Sequence, residues 1–114
     1  MSATVEERGD VLLLRVDLQR LVAETSAPVR RVFTEVMASP RRLVALDLGQ
    51  VAFADSSGLS VLLLLRKAIP PGGRLAVFGV GPSLRALFRL TRVDRVLTLV
   101  DNEADALRDL QTPA

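Results

Sequence analysis

The residues that invite chemistry lie mid-chain, in Val51-Ala52-Phe53-Ala54-Asp55-Ser56-Ser57-Gly58-Leu59. An apolar run ends in a carboxylate and two hydroxyls, just where an apolar helix begins. Such residues can cap the helix, since Asp and Ser side chains all accept from the free N–H groups of a first turn. They cannot form a nucleophilic centre of the usual kind, because the chain has no His and no Cys. Ser-His-Asp triads and Cys-His dyads are excluded, as are the common zinc, haem and iron–sulfur ligand sets. No cofactor or metal is implied.

Other motifs carry less. Gly79-Val80-Gly81 follows a strand but lacks the third glycine of a dinucleotide loop, so it reads as a turn. Gly72-Gly73-Arg74 lacks a P-loop lysine. Arg30-Arg31 and Arg41-Arg42 read as solvated charge, with phosphate contact as the alternative. Asp101, Glu103 and Asp105 could suggest a cation site, but carboxylates in a helix's first turn are ordinary cap and dipole chemistry.

The elements that position the central motif follow from two alternating periodicities. The 114 residues are 49% hydrophobic and 25% charged, which is the make-up of one globular domain spanning 1–114. Strands are expected at Thr4 to Glu7, at Val11 to Asp17 and, centrally placed, at Leu43 to Leu48. Two more are expected at Arg74 to Val80 and Val96 to Val100. Helices are expected at Ser26 to Ala38, with Ser26 as N-cap and Pro28 in the first turn, and at about Ser57 to Ala68. Further helices cover Ser83 to Leu90 and Glu103 to Leu110, the last capped by Asn102 or Asp101. Val51-Ala52-Phe53 reads as an apolar loop. The order β-β-α-β-α-β-α-β-α implies an α/β fold with a mixed, mostly parallel sheet of about five strands and about four helices.

On a helical wheel of the second helix, Gly58, Val61, Leu62, Leu65 and Ile69 share one face, the expected buried one. Leu59, Leu63 and Lys67 form a stripe elsewhere. Burial under a neighbour is one reading of Leu59 and Leu63. A partly exposed docking strip beside the hydroxyl pair, with Lys67 at its rim, is the sharper one.

Net charge is +2, and the high pI of about 10.4 reflects the lack of groups titrating near neutrality rather than a basic surface. No direct nucleic-acid binding is expected. No run of 18 apolar residues exists and the first residues are acidic, so neither a membrane span nor a signal peptide is expected. The absence of Cys suits a cytoplasmic location, and a monomer or weak dimer is expected.

The strand Leu43 to Leu48, the phrase from Val51 to Leu59 and the apolar helix after it resemble the STAS domain, nearest to the bacterial anti-sigma factor antagonists. The likeness continues through Gly72-Gly73-Arg74-Leu75, through Pro82-Ser83-Leu84-Arg85-Ala86-Leu87-Phe88-Arg89-Leu90-Thr91, and through Val93-Asp94-Arg95-Val96-Leu97. It implies a binding module and not an enzyme. It implies phosphorylation of Ser56, the serine directly after the aspartate, with Ser57 as the alternative and Asp55 and Gly58 as supports. The implied partners are an ATP-dependent serine kinase that is also the anti-sigma factor, and a phosphatase. The unphosphorylated form would sequester the kinase and free a sigma factor; phosphorylation would end the complex. The alternative is a STAS accessory subunit of a transport ATPase or signalling scaffold, not phosphorylated. The chain departs from the family pattern in one place. Arg20-Leu21-Val22-Ala23 stands where a Gly-Glu-Leu/Ile-Asp run is usual, and the loop before Ser26 reads as lengthened.

Overall fold

The computed structural model describes residues 2–112. A hairpin of β1 (Ala3–Arg8) and β2 (Val11–Val16) turns at Gly9-Asp10 and opens the main sheet. Crossovers then add β4 (Leu43–Asp47), β6 (Arg74–Phe78) and β7 (Thr98–Leu99). The strand order is β1-β2-β4-β6-β7, with only the β1–β2 pair antiparallel. Four helices surround it: α1 (Ala23–Val36), α2 (Ser56–Ala68), α3 (Pro82–Leu90) and α4 (Glu103–Gln111). The five-stranded, four-helix architecture expected from the periodicity is present.

The central strands are apolar on both faces because both faces are covered. From β2, β4 and β6, residues Leu12, Leu14, Val44, Leu46, Leu75 and Val77 join the core that α1, α2 and α3 complete. Their alternates Val11, Leu13, Ala45, Ala76 and Phe78 pack instead with Ala106 and Leu110 of α4. Small Ala45 and Ala76 leave room for α4 to approach. The backbone packs closely where the interior strands β4 and β6 end. Gly79 has φ +77°, and a Cβ there would lie 2.9 Å from Gly49. The Gly79-Val80-Gly81 segment is thus a turn fitted to its neighbour.

Two short strands escape the sequence reading. β3 (Arg20–Leu21) and β5 (Phe53–Ala54) pair in parallel as a separate ribbon, Arg20 opposite Phe53 and Leu21 opposite Ala54. The apolar "loop" at Val51-Ala52-Phe53 therefore ends as a strand. The lengthened loop before Ser26 is likewise absent, since β3 leads straight into α1 at Ala23.

The N-terminus of α1 is a correction. Its N-cap is Val22, and Ser26 lies inside the first turns, buried at 3% exposure. Val22 has no side-chain acceptor, so Thr25 supplies one: its Oγ1 accepts from the Val22 N–H (2.9 Å) and donates to the Arg20 carbonyl (2.8 Å). Pro28 thus stands within the helix, leaving the Glu24 carbonyl without its usual donor. The other ends differ by a residue or two. The last strand is shorter than expected, because a 3-10 turn (Val93–Arg95) takes up the preceding chain.

Candidate functional site

α2 begins at Ser56, one residue before the expected start, and its N-cap is Asp55. With extended backbone, the Asp55 carboxylate folds over the first turn and Oδ1 accepts from the Gly58 N–H (3.0 Å). Ser57 is already helical, and its hydroxyl makes no hydrogen bond among the described residues. Of the three side chains that could cap α2, the aspartate, with two acceptor oxygens and non-helical φ/ψ, takes the role.

Asp55 serves a second helix too. Its Oδ2 accepts from the Ala23 N–H at the start of α1 (3.1 Å). One carboxylate thus joins two helix N-termini, each with free donors and a positive dipole end. The Gly58 N–H, foremost, with those of Ala23 and Ser57, holds the Asp55 carboxyl below the usual carboxylate range. The backbone repeats the link, as the Asp55 N–H donates to the Leu21 carbonyl (3.3 Å).

That carbonyl also explains Gly58. A Cβ at position 58 would lie 2.1 Å from the Leu21 oxygen. Only glycine lets β3 sit against the first turn of α2. Asp55 and Gly58 are therefore both site supports through one neighbouring segment, Arg20 to Ala23. The stretch buttresses the site through backbone atoms. Its one conspicuous side chain is Arg20, whose guanidinium stands 5.0 Å from the centre of the Phe53 ring. The contact between Arg20 and Phe53, 33 positions apart, was not foreseen from the sequence.

Ser56, the first helical residue, is exposed, and its hydroxyl has no hydrogen-bond partner among the described residues. Its carbonyl accepts from the Ser60 hydroxyl (2.9 Å). The site thus holds a reachable, uncommitted hydroxyl next to an ionised cap.

The stripe on α2 divides. Leu59 is only 8% exposed and belongs to the core, so its place on a docking strip is corrected. The wheel assumed one buried face, but α2 has neighbours on two flanks. α1 packs on one side. On the other, Arg66 Nε donates to the Val96 carbonyl (3.2 Å), which holds the 3-10 turn alongside, and Leu59 joins Val93 and Leu97 in the core. Leu63 is half-buried and Lys67 exposed, while Leu64 is the leucine of α2 that faces solvent.

The acidic residues beyond Val100 form no ion site. Glu103 pairs with Arg8 (2.7 Å) and Asp105 with Arg108 (3.0 Å), while the Asn102 side chain caps α4 by accepting from the Asp105 N–H (2.9 Å). Among the described residues no group of three or more metal-binding side chains occurs, and no helix is long and apolar enough to cross a membrane.

The STAS domain model matches residues 2–106 of this chain. The chain belongs to the STAS-domain family. It is 32% identical over 113 residues to the anti-sigma F factor antagonist of Paenibacillus polymyxa, covering 97% of this chain and 96% of the relative. Among solved structures it is similar to an anti-sigma factor antagonist from Mycobacterium paratuberculosis, with TM-score 0.89 and 24% identity over 96% of this chain and 93% of that one. It is also similar to the Bacillus cell fate determinant SpoIIAA in its phosphorylated form, with TM-score 0.68 and 15% identity over 94% and 96% of the two chains. At those identities the two structures establish the shared STAS fold.

Proposed function

We propose that this STAS protein is an anti-sigma factor antagonist controlled by phosphorylation of Ser56. Unphosphorylated, it binds a cytoplasmic serine kinase that is also an anti-sigma factor, and so frees a sigma factor for transcription. Phosphate transfer from ATP to Ser56 ends the complex, and a phosphatase resets it. The observation that carries this reading is the exposed, uncommitted Ser56 hydroxyl on the first residue of α2, directly after the Asp55 cap. The relative at 32% identity, matched over almost the full length of both chains, supports the partner class.

The chemistry suits a switch. A phosphate adds about −1.5 to −2 charges and three strong acceptors. A helix N-terminus tolerates that anion, while a partner surface packed over Ser56 must desolvate it. The half-buried Leu63 and the exposed Lys67 stay in this reading as partner contacts on α2.

The test is phosphate transfer from ATP by an anti-sigma factor kinase of the same organism, followed by mass spectrometry. One phosphate is expected on the wild type and on Ser57→Ala, and none on Ser56→Ala. Ser56→Asp should fold normally and bind the kinase poorly. Transfer to Ser56→Ala but not to Ser57→Ala would move the site by one residue. No transfer from any candidate kinase would favour an unphosphorylated accessory subunit.

A further inference from the structure

A groove of about 340 Å³ lies between β5 and α3, lined chiefly by Phe53, Ala54, Leu84, Ala86, Leu87 and Leu90. Its lining is almost wholly apolar, yet it is open. Leu90 is 82% exposed and Phe53 47%. The cause is the register of α3. Leu84 and Phe88 point into the core, which leaves Ser83, Leu87 and Leu90, spaced by four and three residues, as a second stripe. A stripe of this spacing, ending in two leucines and with none of the described residues over it, matches a groove for a partner's amphipathic helix.

The charges around the groove select the partner. On the β5 side, Arg20 stands over Phe53. On the far side, exposed Arg89 follows Ala86 by three residues, and exposed Arg92 lies just past the helix. None of these three arginines joins an ion pair among the described residues. Uncommitted guanidinium groups flanking an apolar channel call for carboxylates flanking an apolar ridge. The groove is also continuous with the site, because Ala54 of its wall precedes Asp55 and Ser56.

We propose that the β5–α3 groove receives an acidic amphipathic helix of the anti-sigma factor kinase. Its apolar side chains lie against Phe53, Leu87 and Leu90, and its carboxylates meet Arg20 and Arg89. This assignment rests on the function proposed above and adds a second contact beside Ser56. It makes α3 the element that holds the kinase while the Ser56 end of α2 is presented to it. A concave channel between two rims suits a helix better than a bilayer, which is entered by protruding side chains.

The test is calorimetric titration of the kinase into wild type, Leu90→Ser, Arg89→Glu and Arg89→Lys, at low and high salt, with melting curves for each. Position 90 is so exposed, and Arg89 so free of ion pairs among the described residues, that the fold should persist, Arg89→Glu losing only the small dipole contribution of a last-turn cation. Leu90→Ser and Arg89→Glu should each weaken binding about tenfold or more. Arg89→Lys should recover most of the loss, and the salt dependence of Arg89→Glu should be shallower than that of wild type. If wild type binds and both variants bind equally well, the groove assignment fails and the proposed function stands. If wild type neither binds the kinase nor takes phosphate from it, the function fails and this partner with it. Sedimentation with phosphatidylglycerol vesicles is the third arm. Binding there that is lost in Arg89→Glu would make the face a membrane contact and overturn the proposal.

Discussion

Gly58→Ala is the sharpest test of how the site is built. In an ordinary helix this substitution stabilises by about 1 kcal/mol, because alanine loses less backbone entropy than glycine. Here the new Cβ would start 2.1 Å from the Leu21 oxygen, against the 3.4 Å or more of ordinary contact. The obstacle is backbone, so rotamer change cannot relieve it, and β3 or α2 must move by on the order of 1 Å. Overpacking of this kind costs about 1–3 kcal/mol or more. The same movement strains the Asp55 N–H to Leu21 carbonyl bond (3.3 Å), for which about 1 kcal/mol is a fair net value. The sum favours destabilisation by about 1–3 kcal/mol, a fall in melting temperature of roughly 4–12 °C for a domain of this size. Urea and thermal melts measure it. Amide shifts at Ala23 and Asp55 should move as well, because both hydrogen bonds of the junction depend on the Arg20 to Ala23 segment. Ser60→Ala, on the exposed side of the same helix, is the control and should change stability little. A Gly58→Ala protein as stable as wild type, with unmoved amides at Ala23 and Asp55, would refute the packing argument.

The other predictions concern the same junction and its surroundings. Leu59→Ala should destabilise by about 2–5 kcal/mol as a core truncation, whereas Leu63→Ala should lose clearly less; denaturant midpoints of the two decide, and equal losses would contradict the burial difference. Thr25→Ala removes the side-chain acceptor at the start of α1 and should cost roughly 0.5–2 kcal/mol by thermal melt, with Ser26→Ala giving no comparable cap loss. Because its partners hold the Asp55 carboxyl below the usual range in the folded protein, its contribution to stability is complete above the unfolded carboxyl's titration near about pH 4 and is lost as pH falls through the lower folded value. The acid limb of the stability curve should therefore be shallower in Asp55→Asn, and an unchanged limb would show that Asp55 does not report on folding.

What the sequence made legible was whatever repeats. The continuous apolar runs of Val11 to Val16 and Leu43 to Asp47, and the apolar turns of α2 and α3, placed the long elements within a residue or two, the start of α1 excepted. The ribbon of β3 and β5 was not legible, because two residues per strand carry no period and their pairing joins positions 33 apart. The α1 start was misread for a physical reason as well. Ser26 and Pro28 make a good cap signal on paper, but Thr25 reaches back to Val22 and the cap forms four residues earlier. The motif at Asp55 to Gly58 was visible as a cap, yet not its tie to Ala23, which depends on tertiary placement. Leu59 was placed on a strip because a wheel counts one buried face. Leu90 shows the opposite limit, since an apolar residue at helical spacing reads as core whether or not anything covers it.

The geometry also refines how a phosphate on Ser56 would act. Read from sequence, the anion meets free N–H groups at the start of α2 and is welcome there. In the structure the Gly58 N–H is already held by Asp55, as is the Ala23 N–H of the neighbouring helix. The donors that would greet a phosphate are therefore partly engaged by a carboxylate one residue away, and the two anions repel. Asp55 is anchored at both oxygens, so the exposed phosphoryl group, on a side chain with no other commitments, is the one free to turn outward. A phosphate on Ser56 would leave the junction between α1 and α2 intact and would place its added charge on the surface that the proposed partner covers. The fold then feels little of the modification while the interface feels nearly all of it, which is the division of energy that a reversible binding switch requires.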